Sequence, residues 1–233
     1  LTEALNYAEN AVDLAEKSKD TRMLSDALLN LGNVFFNQGF FELALKQYYR
    51  YLEIQKKEDN KKGIATALIN MGAISLNMRD FKKALGNFKE ALKIFEDLRQ
   101  KSDKTKYKTE IITCYNNLGI ACQNLKEHKE SAGYYLKGID LARKELGNST
   151  LLANLLNNLG SLYLDQKKLD EAYVVADEAL KIRFLIFDKN GQAQSYRSLA
   201  IYYLEKGNRT KAMEYLYLGF GLAQEVGNIS LQS

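Results

Sequence analysis

One dipeptide position recurs along this chain at steps close to forty residues. Its members are Leu31-Gly32, Met71-Gly72, Leu118-Gly119, Leu159-Gly160 and Leu199-Ala200. If Ala200 is counted as the fifth member, the steps are 40, 47, 41 and 40 residues. Self-similarity at such a period indicates a stacked array in which each unit buries its apolar face against its neighbours. The period therefore predicts a solenoid and directs the search for function to the surfaces of the array.

Each repeat has the pattern of two amphipathic helices. In the first full repeat, apolar residues recur at helical spacing from Ala27 to Phe35, and a break follows at Gln38-Gly39. A second helical series then runs from Leu43 to Ile54. The chain contains no Pro and is 46% hydrophobic and 27% charged. This composition favours a helix-rich protein without long structured loops.

These residues resemble the tetratricopeptide repeat (TPR). That family places a large residue before the Leu-Gly pair and an aromatic residue after it, and its second helix carries a small residue followed by an aromatic one. The first full repeat shows this order with Leu28, Leu31-Gly32, Phe35, Ala44 and Tyr48. Later repeats depart from it, because Ser75 and Cys122 replace aromatic residues and Ala176 replaces a bulky one.

The resemblance implies an all-α fold, a right-handed superhelical solenoid of antiparallel helix pairs. The repeats exceed the family's usual length of about 34 residues. This longer variety resembles the repeats of spindle-orienting adaptor proteins and of bacterial sensor histidine kinases. The resemblance covers the whole chain, but fold similarity of this kind does not specify function.

The period also predicts segment boundaries within a single solenoid over residues 1–233. Residues 1–19 would be the second helix of a truncated repeat, and 228–233 would start a further unit. The 47-residue step predicts an insertion, which we place in a basic loop at 101–109. Since neither end supplies a polar cap, we expect a fragment of a longer protein. The full repeats are expected at 21–59, 61–100, 110–147, 149–188 and 190–227.

The net charge of +4 is concentrated in one short run. Between Arg99 and Lys108, five basic residues face one Asp, so the rest of the chain is neutral. A nucleic-acid-binding protein would spread its basic residues along a face. We interpret the run as a solvated loop and expect no nucleic-acid partner. No stretch approaches the roughly 20 apolar residues that span a bilayer.

An Asn-rich stripe is predicted on the first helix of each pair, which lines the concave surface in the resembled family. Positions −6, −2, +1 and +5 from the repeat glycine share one helix face. Nine of these twenty residues are Asn, three are acidic, and none is Lys or Arg. Solvent-facing helices should favour Glu and Lys, because Asn is a poor helix former. The candidate binding residues are Asn30, Asn33, Asn37, Asn70, Asn77, Asn117, Asn124, Asn154, Asn158 and, at the edge of the stripe, Arg197.

Two interpretations of the stripe are open. Amide side chains offer both donors and acceptors and can pair with the backbone of an extended peptide. Alternatively, the Asn two residues before the glycine belongs to the repeat pattern and bonds to the next helix across the stack. Chaperone-binding relatives hold a terminal carboxylate with Lys and Arg on this face. Those residue types are absent from it except for Arg197, so we exclude that clamp.

The sequence shows no pattern typical of catalysis, metal binding or cofactor binding. His128, the one histidine, is expected in a surface turn, and Cys114 and Cys122 are expected to be small core residues. No metal-ligand spacing and no Gly-rich phosphate loop is present. We therefore predict that the chain is not an enzyme.

The predicted function is a non-catalytic protein–protein or peptide-binding scaffold that uses the concave groove. The alternative is a sensory, regulatory or dimerisation domain of a larger signalling protein, such as a histidine kinase or transcription regulator. The expected partner is a peptide or an extended segment of another protein, with self-association possible through uncapped ends. We expect no membrane contact by this segment and a cytoplasmic location, or a periplasmic one for a sensor-kinase input domain.

Overall fold

The structure is a computed structural model that describes residues 2–103, 105–225 and 227. These residues contain eleven α-helices and no strand, and consecutive helices pack against each other in pairs. The prediction of an all-α fold of stacked helix pairs is confirmed. Two compact units are formed, unit 1 from Leu1–Tyr107 and unit 2 from Lys108–Ser233. The single solenoid over 1–233 and its segment boundaries stay predictions.

Unit 1 contains a single leading helix and two helix pairs. Its helices are α1 Thr2–Ser18, α2 Thr21–Asn37, α3 Phe41–Lys57, α4 Lys61–Asn77 and α5 Phe81–Lys101. The first helix of each pair begins at a side-chain cap, since Asp20 accepts from Met23 N at 2.9 Å and Asn60 accepts from Gly63 N at 3.2 Å. Such caps satisfy backbone N–H groups that have no partner within the helix.

Unit 2 contains three helix pairs. Its helices are α6 Lys108–Asn124, α7 His128–Glu145, α8 Thr150–Asp165, α9 Leu169–Leu185, α10 Lys189–Glu205 and α11 Arg209–Glu225. Helix α8 contacts both α6 and α10, so the three first helices form one continuous face. Asp188 caps α10 by accepting from Gly191 N at 2.8 Å.

The repeat glycines allow aromatic residues of the paired helix to approach closely. A Cβ at Gly119 would lie 2.3 Å from the ring of Tyr135, and one at Gly72 would lie 2.5 Å from the ring of Phe88. At Gly160 the nearest side-chain atom is Val175 Cγ2 at 3.2 Å. A glycine and an aromatic residue are therefore matched across the pairs α4–α5 and α6–α7, as close packing requires, and the contact is looser between α8 and α9.

The insertion in the 47-residue step is shared between a longer helix and a short loop. Helix α5 has 21 residues, against 17 in α3 and α4, and includes Arg99 and Lys101. Helix α5 ends at Lys101 and α6 begins at Lys108, so the connection between them falls within the basic loop predicted at 101–109, whose bounds stay a prediction. Leu98, in the last turn of α5, is half-buried, and Lys108 Nζ donates to the Glu145 backbone oxygen at 3.0 Å. The predicted further unit at 228–233 lies outside the described residues.

Candidate functional site

Unit 2 contains a polar groove of about 500 Å³ on the face formed by its first helices. Helix α6 supplies one residue, α8 and α10 supply most of the others, and Arg183 of α9 lies beneath them. The lining residues are Asn116, Asn154, Asn157, Asn158, Ser161, Leu164, Arg183, Gln194, Arg197, Ser198 and Ile201.

Amide side chains connect neighbouring repeats along this groove. Asn158 Nδ2 donates to Asn116 Oδ1 at 2.8 Å, which joins α8 to α6. Ser195 Oγ donates to Asn157 Oδ1 at 3.3 Å, which joins α10 to α8. Asn116 Nδ2 lies 3.4 Å from Asn117 Oδ1. These bonds fix the orientation of the amides and use only part of their donor and acceptor capacity.

Arg183 lies beneath the groove with its side chain 1% exposed. Its Nη1 donates to the Gly191 backbone oxygen and to Ser195 Oγ at 3.1 Å, and its Nη2 donates to Asn154 Oδ1 at 2.8 Å. Its Nε is buried without a hydrogen-bond partner, 4.0 Å from Asp188 Oδ2. The guanidinium is thus held mainly by neutral acceptors.

The electrostatics of the groove are cationic. Burial lowers the pKa of Arg183 from its ordinary value of 12.5 to about 10, and the Asp188 carboxylate partly opposes this shift. Desolvation is the dominant cause because it disfavours the charged form. Arg197 is exposed on α10 and lines the same groove. The lining residues include both arginines and no Asp or Glu.

Three of the predicted binding residues lie in this groove, namely Asn154, Asn158 and Arg197. Asn117 is half-buried beside it. Asn124 is exposed and donates from Nδ2 to the Ile120 backbone oxygen of its own helix at 2.9 Å. The structure thus brings together the predicted residues near the middle of α8 and α10 and separates Asn124 from them.

The five candidates of unit 1 have different environments. Asn33 Oδ1 accepts from the Tyr48 hydroxyl at 2.7 Å, and Asn77 Nδ2 donates to the Ala73 backbone oxygen at 2.9 Å. The other three make no side-chain hydrogen bond with any residue that the structure describes. They are Asn30 and Asn37, which are exposed, and Asn70, which is half-buried.

Sequence reasoning missed three groove residues. Asn116 and Asn157 stand three residues before their repeat glycines, one position outside the stripe that we searched. Their adjacency to Asn117 and Asn158 as Asn-Asn pairs is a signal that could have found them. Arg183 belongs to a second helix, where its position inside the apolar run Ile182–Ile186 is the only sequence signal of a buried cation.

The remaining candidates lie away from the groove. Cys114 and Cys122 are buried, which confirms their prediction as core residues. His128 is half-buried and does not lie in a surface turn, because α7 already begins at this residue. Across the described residues, no cluster of His, Cys, Asp and Glu has the composition of a metal site. The described helices include none with the length and apolarity to cross a membrane.

The tetratricopeptide repeat model matches residues 23–97, 110–183 and 151–224. These matches cover most of the sequence, and the chain belongs to the tetratricopeptide repeat family. No curated protein matches the chain.

Several solved structures have the same fold. BtubC (BKLC) from P. vanneervenii matches with a TM-score of 0.78 at 22% identity, over 97% of this chain and 92% of that one. Aspartyl phosphate phosphatase F from Bacillus subtilis matches with a TM-score of 0.77 at 16% identity, over 94% of this chain and 56% of that one. The Rap conjugation gene regulator of plasmid pLS20, solved with the Phr* peptide, matches with a TM-score of 0.77 at 18% identity, over 94% and 58%. At these identities the likeness shows the fold.

Proposed function

We propose that this chain is a non-catalytic binding module that holds a peptide, or an extended segment of a partner protein, in the groove of unit 2. The observation that carries the proposal is the row of oriented amides along α6, α8 and α10. Asn158 Oδ1, Asn157 Nδ2 and Asn154 Nδ2 are not used by the hydrogen bonds described above. They offer an acceptor and two donors to the N–H and C=O groups of an extended backbone.

Apolar contacts add to these polar ones. Leu164 and Ile201 line the groove beside the amides and provide surface for ligand side chains. Binding sites combine apolar area for affinity with a few polar groups that fix orientation. The groove has both kinds of group, which supports recognition of a peptide.

The comparisons support the same proposal at the level of the fold. The pLS20 regulator carries its Phr* peptide on a chain of this architecture. The likeness to this regulator and to aspartyl phosphate phosphatase F also favours the alternative, a regulatory domain of a larger signalling protein. A regulatory domain that senses a peptide would combine the peptide-binding function with the regulatory alternative.

Self-association through the last helix remains a second proposal about partners. Met213, Leu216 and Phe220 of α11 are between 40% and 47% exposed, on a helix that has no following partner in the described residues. Light scattering over a concentration series tests it, and a monomer at every concentration would contradict it.

The groove is tested with an array of random-sequence peptides. We expect the protein to retain a subset of peptides, and the double variant Asn116→Ala, Asn158→Ala to lose them with unchanged helicity by circular dichroism. Asn148→Ala, an exposed residue that precedes α8, is the matched control and should retain the same peptides. Retention of no peptide by the unaltered protein would reject the proposed function.

A further inference from the structure

The connection between α9 and α10 places two apolar side chains in solvent, and we call this pair the apolar tip. Phe187 is 88% exposed and Leu185 is 65% exposed, and Phe187 has a φ of +57°. A bulky residue in the left-handed region is strained, so the backbone does not favour Phe at this position. Residues that break local rules in this way are typical of functional surfaces.

The equivalent connections of other repeats do not carry apolar residues at these two positions. The residues that lie thirteen positions before a repeat glycine, as Phe187 lies before Ala200, also have positive φ and are Lys19, Asp59 and Gly147. The residues that correspond to Leu185 are Lys17, Lys57 and Glu145. The repeat therefore requires a turn here, but folding does not require the apolar tip.

Unit 1 has an apolar groove of about 460 Å³ beside the turn between α2 and α3. Three of its apolar side chains, those of Phe40, Leu43 and Met78, are each about half exposed. Gly39 lines the groove without a side chain, which helps to leave it open. The complete lining is Gly39, Phe40, Phe41, Glu42, Leu43 and Met78.

Two positions of this groove are apolar in the first full repeat alone. Phe40 is the N-cap of α3 and makes no capping hydrogen bond, whereas Asp80 caps α5 by accepting from Lys83 N at 3.1 Å. The later residues that correspond to Phe40 are Asp80, Glu127, Lys168 and Asn208, and those that correspond to Leu43 are Lys83, Glu130, Glu171 and Lys211. Folding of the repeat therefore does not require an apolar groove at this turn either.

We propose that the apolar tip of one copy of the chain binds in the apolar groove of unit 1 of a second copy. The tip protrudes and the groove is concave, and both are apolar. The ring of Phe187 would contact the ring of Phe40 and the thioether of Met78, which are favourable partners for an aromatic side chain. Neither surface includes a residue of the groove of unit 2, so this inference is independent of peptide binding.

Charges beside the two surfaces are complementary. Glu42 is the one charged residue that lines the apolar groove, and it has no ion-pair partner among the described residues. Lys189 follows the apolar tip by two positions, and about half of its side chain is exposed although it pairs with Glu225. Opposite charges at the rim of an apolar contact favour one orientation of the two copies.

The two surfaces differ from each other, so the interface between copies is heterologous. A pair of copies then keeps one free tip and one free groove, and larger species form as further copies bind. An aromatic side chain buries about 150–250 Å². A contact built on a few such side chains is smaller than the roughly 800 Å² per partner of standard interfaces, so we expect weak, reversible association.

Sedimentation velocity of the full chain over a concentration series tests the proposal. The average mass of the unaltered chain should rise with concentration. Phe187→Asp, which introduces the residue type of Asp59, and Phe40→Asp, which introduces that of Asp80, should each stay monomeric. An equal mixture of the two variants should form a dimer and no larger species, because one variant keeps the groove and the other keeps the tip.

The matched control is Val174→Lys, at an exposed apolar residue of α9 outside the tip, and it should associate like the unaltered chain. Circular dichroism establishes that each variant folds. Leu185→Lys and Leu43→Lys introduce the residue types of Lys57 and Lys83. They replace the tip variant and the groove variant if either of those does not fold.

Three results would overturn the inference. The first is a monomer at every concentration of the unaltered chain, and the second is association that survives the tip variant or the groove variant. The third is a mixture of the two variants that stays monomeric. All variants should retain the same peptides as the unaltered chain, so failure of this inference leaves the proposed function standing.

Discussion

Units 1 and 2 place residues of different charge at the same position of the repeat. In unit 1 the buried residue is Gln55, whose Oε1 accepts from Asn60 Nδ2 at 2.6 Å. In unit 2 it is Arg183, and the residue equivalent to Asn60 is Asp188. Both second helices therefore pair a buried polar side chain with the N-cap of the next helix.

The difference between the two sites shows which features belong to the repeat and which to one unit. Packing against a glycine and a bond across the repeat occur in both, so they are properties of the architecture. Arg183 pairs with Asp188 where Gln55 pairs with Asn60, so an ion pair in unit 2 takes the place of a neutral amide pair in unit 1. Local complementarity is kept at both positions, because the Asp188 carboxylate lies 4.0 Å from Arg183 Nε and opposes the lowering of the Arg183 pKa by burial.

Removing the buried polar side chain should have the largest effect, and a larger one in unit 2. Arg183→Met leaves the Gly191 backbone oxygen and Asn154 Oδ1 without their donor. We expect a loss of about 2–5 kcal/mol in the free energy of unfolding, since each unsatisfied buried acceptor costs about 1–3 kcal/mol. Urea titration measures it.

Gln55→Met is the matched change in unit 1. It should cost about 1 kcal/mol, because the exposed Asn60 can bond to water and only the buried Ser25 hydroxyl loses its partner. Equal losses at the two positions would show that the charge of Arg183 adds nothing to the stability of its network.

In unit 1 the buried, neutral Tyr48 donates a hydrogen bond to Asn33 of the Asn-rich stripe. The stability of the folded chain should therefore fall at high pH, where tyrosine ionises. Burial raises the pKa of Tyr48 from 10.0 to about 12, and its hydroxyl donates to Asn33 Oδ1. As the pH rises, the Tyr48 hydroxyl therefore ionises at a lower pH in the unfolded chain than in the folded one. Its contribution of about 2–3 kcal/mol is complete below about pH 10 and is lost as the pH rises to about 12.

Tyr48→Phe isolates this contribution from the other tyrosines. The difference in unfolding free energy between the two proteins should shrink across that pH interval. Tyr135 of unit 2 also has its pKa raised by burial, so the comparison must be made at each pH with Tyr48→Phe as reference. A difference that is constant with pH would contradict the prediction.

Gly191 and Gly63, which pack against Arg183 and Gln55, should differ less in the effect of an Ala substitution on stability. A Cβ at Gly191 would lie 2.1 Å from Asp188 Oδ2 and 2.7 Å from both Arg183 Cδ and Nε, so two side chains would have to move. The three atoms nearest to a Cβ at Gly63 all belong to Gln55, with Oε1 at 2.0 Å. We expect Gly191→Ala to lower stability by about 1–3 kcal/mol. Thermal unfolding should show a smaller loss for Gly63→Ala, since the amide can turn away and Ala favours the helix by about 0.5–1 kcal/mol. The reverse order would mean that Arg183 is the more mobile of the two side chains.

The fold was predictable from the sequence because close packing of each helix pair requires similar residues at the same positions of the repeats. Gly72 and Gly119 must accommodate Phe88 and Tyr135, so the glycine and the aromatic residue appear together and reveal the period. Where the aromatic position is occupied by Ala176, the approach to Gly160 is looser. The division of the insertion between the longer α5 and the connection to α6 was not predictable, because lysines are compatible with both a solvated loop and a helix end.

The groove was predictable only in part. The sequence period shows which residues share one helix face, but a groove also depends on side chains from the helices that pack around it. Asn154 and Asn158 were found from the stripe, and Asn124 and Asn77, in the same stripe, bond to their own helices. Arg183 lies on another helix, and no pattern within α10 or α8 indicates what lies beneath them. Its contribution follows from tertiary packing alone.

The smallest expected effect separates the two kinds of amide within the stripe. Asn158→Ala removes a hydrogen bond to the neighbouring repeat and should lower the free energy of unfolding by about 1 kcal/mol. Part of this loss is offset because Ala is a better helix former than Asn. Asn77→Ala removes an exposed bond to its own backbone, so stability should stay within about 0.5 kcal/mol. Urea titration of both variants, with peptide retention measured in parallel, tests the distinction. If both variants lost stability equally, the cross-repeat amides would be no more than surface polar groups. If only Asn158→Ala lost both stability and peptides, the same amides would join the repeats and orient the ligand, since a side chain fixed by one partner is preorganised for the next.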